Sequence, residues 1–449
     1  MTGASDSETV FTKVRRIAEL ARQSPGMAFT SLAHLIDVPW LLEAHRRTRK
    51  DGAPGIDRQT AVDYEADLVK NLGSLRERAI SGTYRAPPVR RVHIPKGDGT
   101  ETRPIGIPTF EDKILQRAVV MVLEAIYEQD FQSGSFGFRP GRSAHQALES
   151  FRQQAMAMRG CWVVEVDIRR FFDTLDHTHL RDFLRLRLRD GVLLRLIGKW
   201  LRAGVMEDGR LTVPDFGSPQ GGVISPLLSN VVLHGVLDVW FERDVRPRLR
   251  GNAFLIRYAD DFVMGFAHES DARRVLEVLP QRFARFGLAL HPDKTRLVPF
   301  VRPPANPSGG TGATGPSPGS FDFLGFTHYW GRSRQGYWVV KCGTAKSRFG
   351  RTVKRIAEWC RVNRHRPIAE QHHTLSQKLR GHYAYFGRPG NGGALQRLRY
   401  EVTRVWRKWL IRRRRGRTGS WGSWDWFNAV LRRFPLPLPR IRAPAVARP

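Results

Sequence analysis

Cysteine is nearly absent from this 449-residue chain: only Cys161, Cys342 and Cys360 occur, and none stands in a C-x-x-C pair. That excludes a disulfide framework and the common zinc modules, and it fits a reducing compartment. No stretch approaches 18 consecutive apolar residues, so no segment is expected to span a bilayer. The first eleven residues are polar and acidic, without the basic and apolar regions of a secretory signal. No anchor or lipidation signal adjoins the basic residues, which argues against a membrane partner. Acidic residues are scarce too, 42 against 74 Lys and Arg, for a net charge of +32.

Hydrophobic residues make up 41% of the chain, enough for a real core, and the length suggests two to four domains. The charge is unevenly placed. Lys341 to Pro449 holds 27 basic and 4 acidic residues, a net of +23, leaving +9 for the first 340 positions. A field of that strength predicts a polyanionic partner, and nucleic acid fits better than a membrane face.

The spacing of Val10, Val14, Ile17 and Leu20 predicts a helix, and a second apolar run spans Leu32 to Leu42. Lys50 to Gly55 reads as a loop. Val89 to Pro95 alternates apolar and basic residues as a half-exposed strand, Gly97-Asp98-Gly99 supplies a turn, and a second strand runs toward Ile107. Glu111 to Tyr127 is a helix with a broad apolar face. Residues 301–320, rich in Pro, Gly, Ser and Thr, read as a flexible insert. After Lys341 the period is helical, with Trp359, Leu379, Tyr383, Trp406 and Trp409 among the apolar partners.

Asp167 closes the apolar run Trp162 to Val166, which puts its carboxylate at a strand end. Asp260 and Asp261 interrupt Phe254 to Phe266 and read as the tip of a β-hairpin. Singly, each has a plain explanation, because Asp is a good turn residue. Together they meet the needs of nucleotidyl transfer, in which two divalent ions about 4 Å apart serve the attacking hydroxyl and the triphosphate. Mg²⁺ takes oxygen ligands and keeps several waters, so two or three carboxylates suffice. Asp167 and Asp260 would bridge both ions, the Ile168 carbonyl would add a ligand, and Asp261 would bind or tune the field.

The surrounding motifs carry a resemblance. Tyr258-Ala259-Asp260-Asp261 resembles the Y-x-D-D box of reverse transcriptases, and Asp167 to Asp173 resembles the preceding carboxylate motif of that family. Gly217 to Asn230 resembles the P-Q-G…S-P…N motif between them. Ile94-Pro95-Lys96, Arg103 to Pro108, Phe136 to Ser143, His291 to Thr295 and Phe323 to Phe326 are similar to further blocks in order. Lys50 to Asp57 resembles the N-terminal extension, and Leu379 to Gly387 the maturase region, of group II intron-encoded reverse transcriptases/maturases. The likeness covers about Leu42 to Arg440.

This resemblance implies an α+β right-hand polymerase, with fingers and an antiparallel palm, plus a helical thumb/maturase domain. The expected domains are an extension over 1–60, fingers over 61–160, palm over 161–330, thumb over 341–415 and a short basic DNA-binding segment over 416–449. It implies Asp167, Asp260 and Asp261 as catalytic residues and two Mg²⁺ ions. Lys96, Arg103, Phe172, Gln220 and Lys294 are the implied dNTP-binding residues. Phe172 would exclude a ribose 2′-hydroxyl, and Lys294 could donate a proton to pyrophosphate. Arg139, Arg142, Arg380, Arg404, Arg407, Lys408, Arg412, Arg413, Arg414 and Arg415 are the candidate nucleic-acid contacts.

The implied partners are group II intron RNA, an RNA template with a DNA or RNA primer, dNTPs and target DNA, in a cytoplasmic, nucleic-acid-associated setting. Arg170 stands where the family more often has glycine, so an altered local backbone is expected. No H-N-H endonuclease motif occurs, so second-strand cleavage is expected to be missing, as in the endonuclease-lacking lineage. Two other roles stay open: a splicing-only RNA-binding maturase, and a domesticated reverse transcriptase in phage defence or DNA repair.

Overall fold

The computed structural model describes residues 2–96, 101–207, 209–212, 217, 221–304, 319–413 and 423–441. The Gly97-Asp98-Gly99 turn and positions 305–318 of the insert lie outside them. Helices mix with mostly antiparallel sheets, as the sequence implies. The chain divides into two units, one of Met1–Ala147 with Val164–Leu297, the other of Leu148–Val163 with Val298–Pro449.

The first unit begins with α1 (Thr2–Gln23), α2 (Val38–Arg47), α3 (Ala61–Glu65) and α4 (Leu68–Ser81). Asp37 starts α2 by accepting from Trp40 N at 3.0 Å, with Pro39 in the first turn. A hairpin of β1 (Val89–Lys96) and β2 (Glu101–Ile107) follows, then α5 (Phe110–Tyr127). Fourteen of the 18 residues of α5 are buried, as suits a helix apolar on nearly every face. Trp40 is fully buried and donates to the Ala118 carbonyl of α5 at 3.0 Å.

Next along the chain come α6 (Ala144–Ala157) and β3 (Gly160–Asp167), of which Leu148–Val163 counts with the second unit, then α7 (His177–Arg185), α8 (Gly191–Leu201), β4 (Val205–Glu207), β5 (Arg210–Thr212) and α9 (Ser225–Leu233). The strands β6 (Ala253–Tyr258) and β7 (Asp261–Phe266) and α10 (Glu269–Ala284) follow, and β8 (Arg296–Val301) runs from the first unit into the second. One sheet runs β2-β1-β4-β5 and another β6-β7-β3-β8. Asp190 ties early and late parts of this unit. It caps α8 through Val192 N and Leu193 N, and accepts from Leu32 N (2.6 Å) and Ala33 N (2.9 Å).

At the centre of this unit Asp112 is buried and accepts from Tyr84, Trp200 and Gln116 at 2.6, 2.6 and 2.9 Å. Burial pushes its carboxyl up from 3.8 to about 6, despite those three donors. The folded chain therefore holds this proton more tightly than the unfolded chain does. The stability from Asp112 is fully present below about pH 4 and is lost as pH rises through about 6. An Asp112→Asn variant lacks that loss. Urea melts should show it gaining on the parent by up to about 3 kcal/mol between acid and neutral pH, at about 1.4 kcal/mol per pKa unit. A difference that does not change with pH would refute this account.

In the second unit β9 (Phe321–Phe323), β10 (Phe326–Arg332) and β11 (Trp338–Thr344) form a sheet in the order β11-β10-β9. Then come α11 (Lys346–Val362), α12 (Ile368–Phe386), α13 (Gly392–Ile411) and α14 (Trp424–Arg433). Their shared core joins Cys360, Leu375, Leu379, Leu398, Trp406 and Phe427. Trp406 Nε1 meets its polar need at Gln371 Oε1, 3.1 Å away. The short basic segment expected to bind DNA contributes Phe427, on the apolar face of α14, and Leu436 to the helical core. Among the described residues no helix is long and apolar enough to cross a membrane.

Candidate active site

Tyr258 of β6 pairs with Asp261 of β7, leaving Ala259 and Asp260 as a two-residue turn. Ala259 sits in the left-handed region at φ 59°, a conformation costing an L-residue roughly 1–2 kcal/mol. The sequence holds it there with a buried arginine. Arg257 is fully buried, and its Nη1 donates to the Ala259 carbonyl (3.0 Å) and to Asn230 Oδ1 (2.7 Å). Its Nε and Nη2 form a fork to Asp238, at 2.8 and 2.6 Å. Burial pushes the Asp238 carboxyl up, but Arg257 and His234 outweigh it and hold it below the usual carboxylate range.

The same network reaches a third motif. Asn230 Nδ2 donates to the Gly137 carbonyl at 2.8 Å. A Cβ on Gly137 would lie 2.2 Å from Ala259 N, so only glycine lets this loop approach the turn. Phe136 N and Arg257 N exchange bonds with the Arg257 and Gly134 carbonyls, at 2.8 and 2.9 Å. Three distant sequence blocks therefore meet at one guanidinium. Sequence reading missed Arg257, Asn230 and Asp238 as functional residues; the available signal was an arginine inside an otherwise apolar strand.

Asp167 ends β3, where its carbonyl accepts from His291 N (2.8 Å) and Arg169 N donates to Ala289 O (2.8 Å). Those two bonds flank Ile168 and do not use its carbonyl. The Asp167 carboxylate is ion-paired with Lys294 Nζ at 2.6 Å. Lys294, expected on the dNTP, thus rests on the Asp167 carboxylate. Burial raises the carboxyl pKa of Asp260, the negative charge of Asp167 adds to the rise, and Arg103 and Arg257 oppose it. Asp167, Asp260 and Arg103 therefore share one electrostatic field.

Among the described residues, no group of three or more His, Cys, Asp or Glu is placed to hold a metal ion. The three expected carboxylates do not gather as one cluster. A buried carboxylate, Asp260, whose ionisation the charge of Asp167 disfavours, with hard oxygen donors and a backbone carbonyl at hand, nonetheless fits Mg²⁺. That ion is held by one or two carboxylates and completes its shell with water and substrate phosphates.

The remaining candidates divide. In the β1–β2 register Arg103 faces Ile94, two residues before Lys96; the Lys96 side chain lies outside the description. Gln220, Arg414 and Arg415 also lie outside the described residues. Phe172 is half-buried with its ring edge-on to Phe171 at 5.5 Å. Arg170 keeps the glycine-like conformation at φ 48° instead of altering the backbone, with its carbonyl accepting from Asp173 N at 2.9 Å. Arg170→Gly should relieve this strain and stabilise the fold by about 0.5–1 kcal/mol. A lowered melting midpoint would count against it.

Arg139 is not available to nucleic acid. It is buried, forks onto Glu128, and donates to the Gln132 (2.7 Å) and Ser135 (2.8 Å) carbonyls. Arg142 caps the same loop at the Ser133 carbonyl and lies over Phe136. On the thumb helices Arg380 is exposed and lines a cavity with Pro437 and Leu438. Arg404 pairs with Glu401, Arg407 lies 4.2 Å over Trp424, and Lys408 and Arg412 lie over Trp409. Arg413 donates to the His365 carbonyl. Trp409 and Trp424 thus lie beneath the chain's own cations, while Trp406 is buried in the core.

The family described as reverse transcriptase (RNA-dependent DNA polymerase) matches residues 94–328. Protein YkfC of Escherichia coli (strain K12) is 36% identical over 323 residues, covering 63% of this chain and 83% of that protein. Group II intron-encoded protein LtrA of Lactococcus lactis subsp. cremoris is 37% identical over 247 residues, 53% of this chain and 40% of that protein. Nuclear intron maturase 2, mitochondrial, of Arabidopsis thaliana is 30% identical over 233 residues, with 43% and 30% covered. The chain thus spans less than half of the last two.

Proposed function

Because the chain belongs to the reverse transcriptase family, in its group II intron-encoded branch, we propose that it copies intron RNA into DNA and also acts as a maturase. In the polymerase reaction a primer 3′-hydroxyl oxygen bonds to the α-phosphorus of a dNTP. Its proton is lost, and pyrophosphate leaves. The observation that carries this reading is the shared field of Asp167 and Asp260 at a strand end and a strained hairpin turn. When bound there, two Mg²⁺ ions would lower the cost of the attacking and leaving oxygens' charge.

The chain's own residues supply position. Asp167, Asp260 and the Ile168 carbonyl would hold the cations, with Asp261 beside them. Arg103 and Lys96 take triphosphate oxygens, a task suited to charge-assisted bonds. Lys294, held on the Asp167 carboxylate, would supply a proton to the departing phosphates. Phe172 closes the space a ribose 2′-hydroxyl would need, and Gln220 lies along the nucleotide. Arg142, Arg380, Arg404, Arg407, Lys408 and Arg412 to Arg415 track phosphates of intron RNA, template and target DNA. The resulting RNA–protein particle would insert into DNA by retrohoming.

The test is cDNA synthesis by the purified full chain on an RNA template with an annealed DNA primer, dNTPs and Mg²⁺. Labelled product of template length is the expected result. No extension with either Mg²⁺ or Mn²⁺ would sink the polymerase reading, and no acceleration of group II intron splicing would sink the maturase one.

A further inference from the structure

Between α9 and β6 the chain winds through two π-type turns, His234–Asp238 and Phe241–Val245. Such wide turns are rare and occur frequently at functional sites. Together with α10 this segment walls a cavity of about 310 Å³. Its floor is apolar, with Trp240 half-buried and Val278 exposed. Around it stand the guanidinium groups of Arg248, Arg274, Arg282 and Arg285, with one carboxylate, Asp244.

Arg282 is fixed in place. Its Nε and Nη2 donate to the Val236 and Gly235 carbonyls at 2.9 and 3.1 Å. Its guanidinium lies 4.8 Å from the Phe286 ring and 5.8 Å from the Trp240 ring. Among the described residues no ion pair engages Arg274 or Arg285. Four like charges around an apolar floor, opposed by one carboxylate, form a focused positive field that an anion would relieve. The cavity is separate from the catalytic turn. Its Arg248 and Leu249 lead into the start of β6, the end of the hairpin opposite Ala259 and Asp260.

We propose that this cavity holds one unpaired nucleotide of a single-stranded RNA. The base stacks on Trp240 beside Arg282, a mode open to any base. The planar forks of Arg248, Arg274 and Arg285 take the flanking phosphates. Asp244 accepts from a ribose 2′-hydroxyl, the group that separates RNA from DNA. An acidic peptide would satisfy the arginines but leave the Trp240–Arg282 stack and Asp244 without a role. The site does not depend on polymerase activity.

The test uses the full chain and an oligouridylate of about ten nucleotides carrying 4-thiouridine, crosslinked by light and mapped by mass spectrometry. Adducts are expected on the peptides that carry Trp240 or Val278. The double variant Arg274→Glu/Arg285→Glu should lose these adducts about tenfold while others persist, and Trp240→Ala should lose them too. The matching deoxy probe should crosslink several-fold less, and Asp244→Asn should erase that preference. Extension of a pre-annealed primer confirms that the variants remain folded. Absence of the adducts overturns the proposal, as does an equal loss of every adduct in the double variant. Stronger competition by oligoglutamate than by unlabelled oligouridylate would assign the cavity to an acidic peptide and overturn it as well.

Discussion

Asp260→Ala should abolish detectable primer extension, a loss on the order of 10³-fold or more, while the protein melts no earlier than its parent. The first half follows from the loss of one of two carboxylates that gather positive charge for the transfer. The second follows from the cost of keeping that carboxylate. Asp260 is half-buried, and both its burial and the charge of Asp167 favour its neutral form. At neutral pH its ionised state is therefore a burden on the fold, accepted where function needs it. Alanine removes the burden along with the activity. Single-nucleotide incorporation and thermal melts on the same samples check both halves. Retained extension would remove Asp260 from the mechanism. A large drop in melting temperature would show that Asp260 supports the fold instead of opposing it. Splicing assistance by this variant should persist, since a maturase works by gripping RNA.

The second large effect is expected at Asp238. Asp238→Ala leaves the Arg257 guanidinium fully buried without its carboxylate, which should destabilise the first unit by about 3–5 kcal/mol. Asp238 is held below the usual carboxylate range, so its stabilisation is present at neutral pH and is lost as pH falls through the depressed value. A double variant, Asp238→Leu with Arg257→Met, should recover most of the stability, because apolar groups of similar volume often replace a buried ion pair at little cost. It should not recover activity. The Ala259 carbonyl and Asn230 would still lack the donor that fixes the left-handed turn carrying Asp260. Urea melts and extension rates separate the two outcomes. If the double variant polymerises like the parent, the network only fills space.

Much of the candidate site's placement is legible in the sequence because strand ends and turns have local signatures. Asp167 follows an apolar run, and Asp260 interrupts another, so both positions follow from neighbours a few residues away. The Arg257 network is hidden for the opposite reason. Its partners lie 19 and 27 residues upstream, and a lone arginine in an apolar strand reads as an exposed interruption. Arg139 was misread through the same blindness. Its motif looks like a phosphate contact, whereas Glu128, eleven positions earlier, claims the guanidinium. The charge counted after Lys341 points to a polyanionic partner. Charge counts cannot register that Phe427 and Leu436 lie on the inner face of the same segment.

That last arrangement bears on how the protein is made. During synthesis α11, α12 and α13 leave the ribosome before Phe427 and Leu436, which complete their common core. Until then, Trp406 and its neighbours lack part of their cover, and the nascent bundle carries exposed apolar surface beside a high density of arginine. Such an intermediate is prone to association, and ribosomal RNA lies close by. The last helix therefore governs the interval during which the newborn chain is vulnerable.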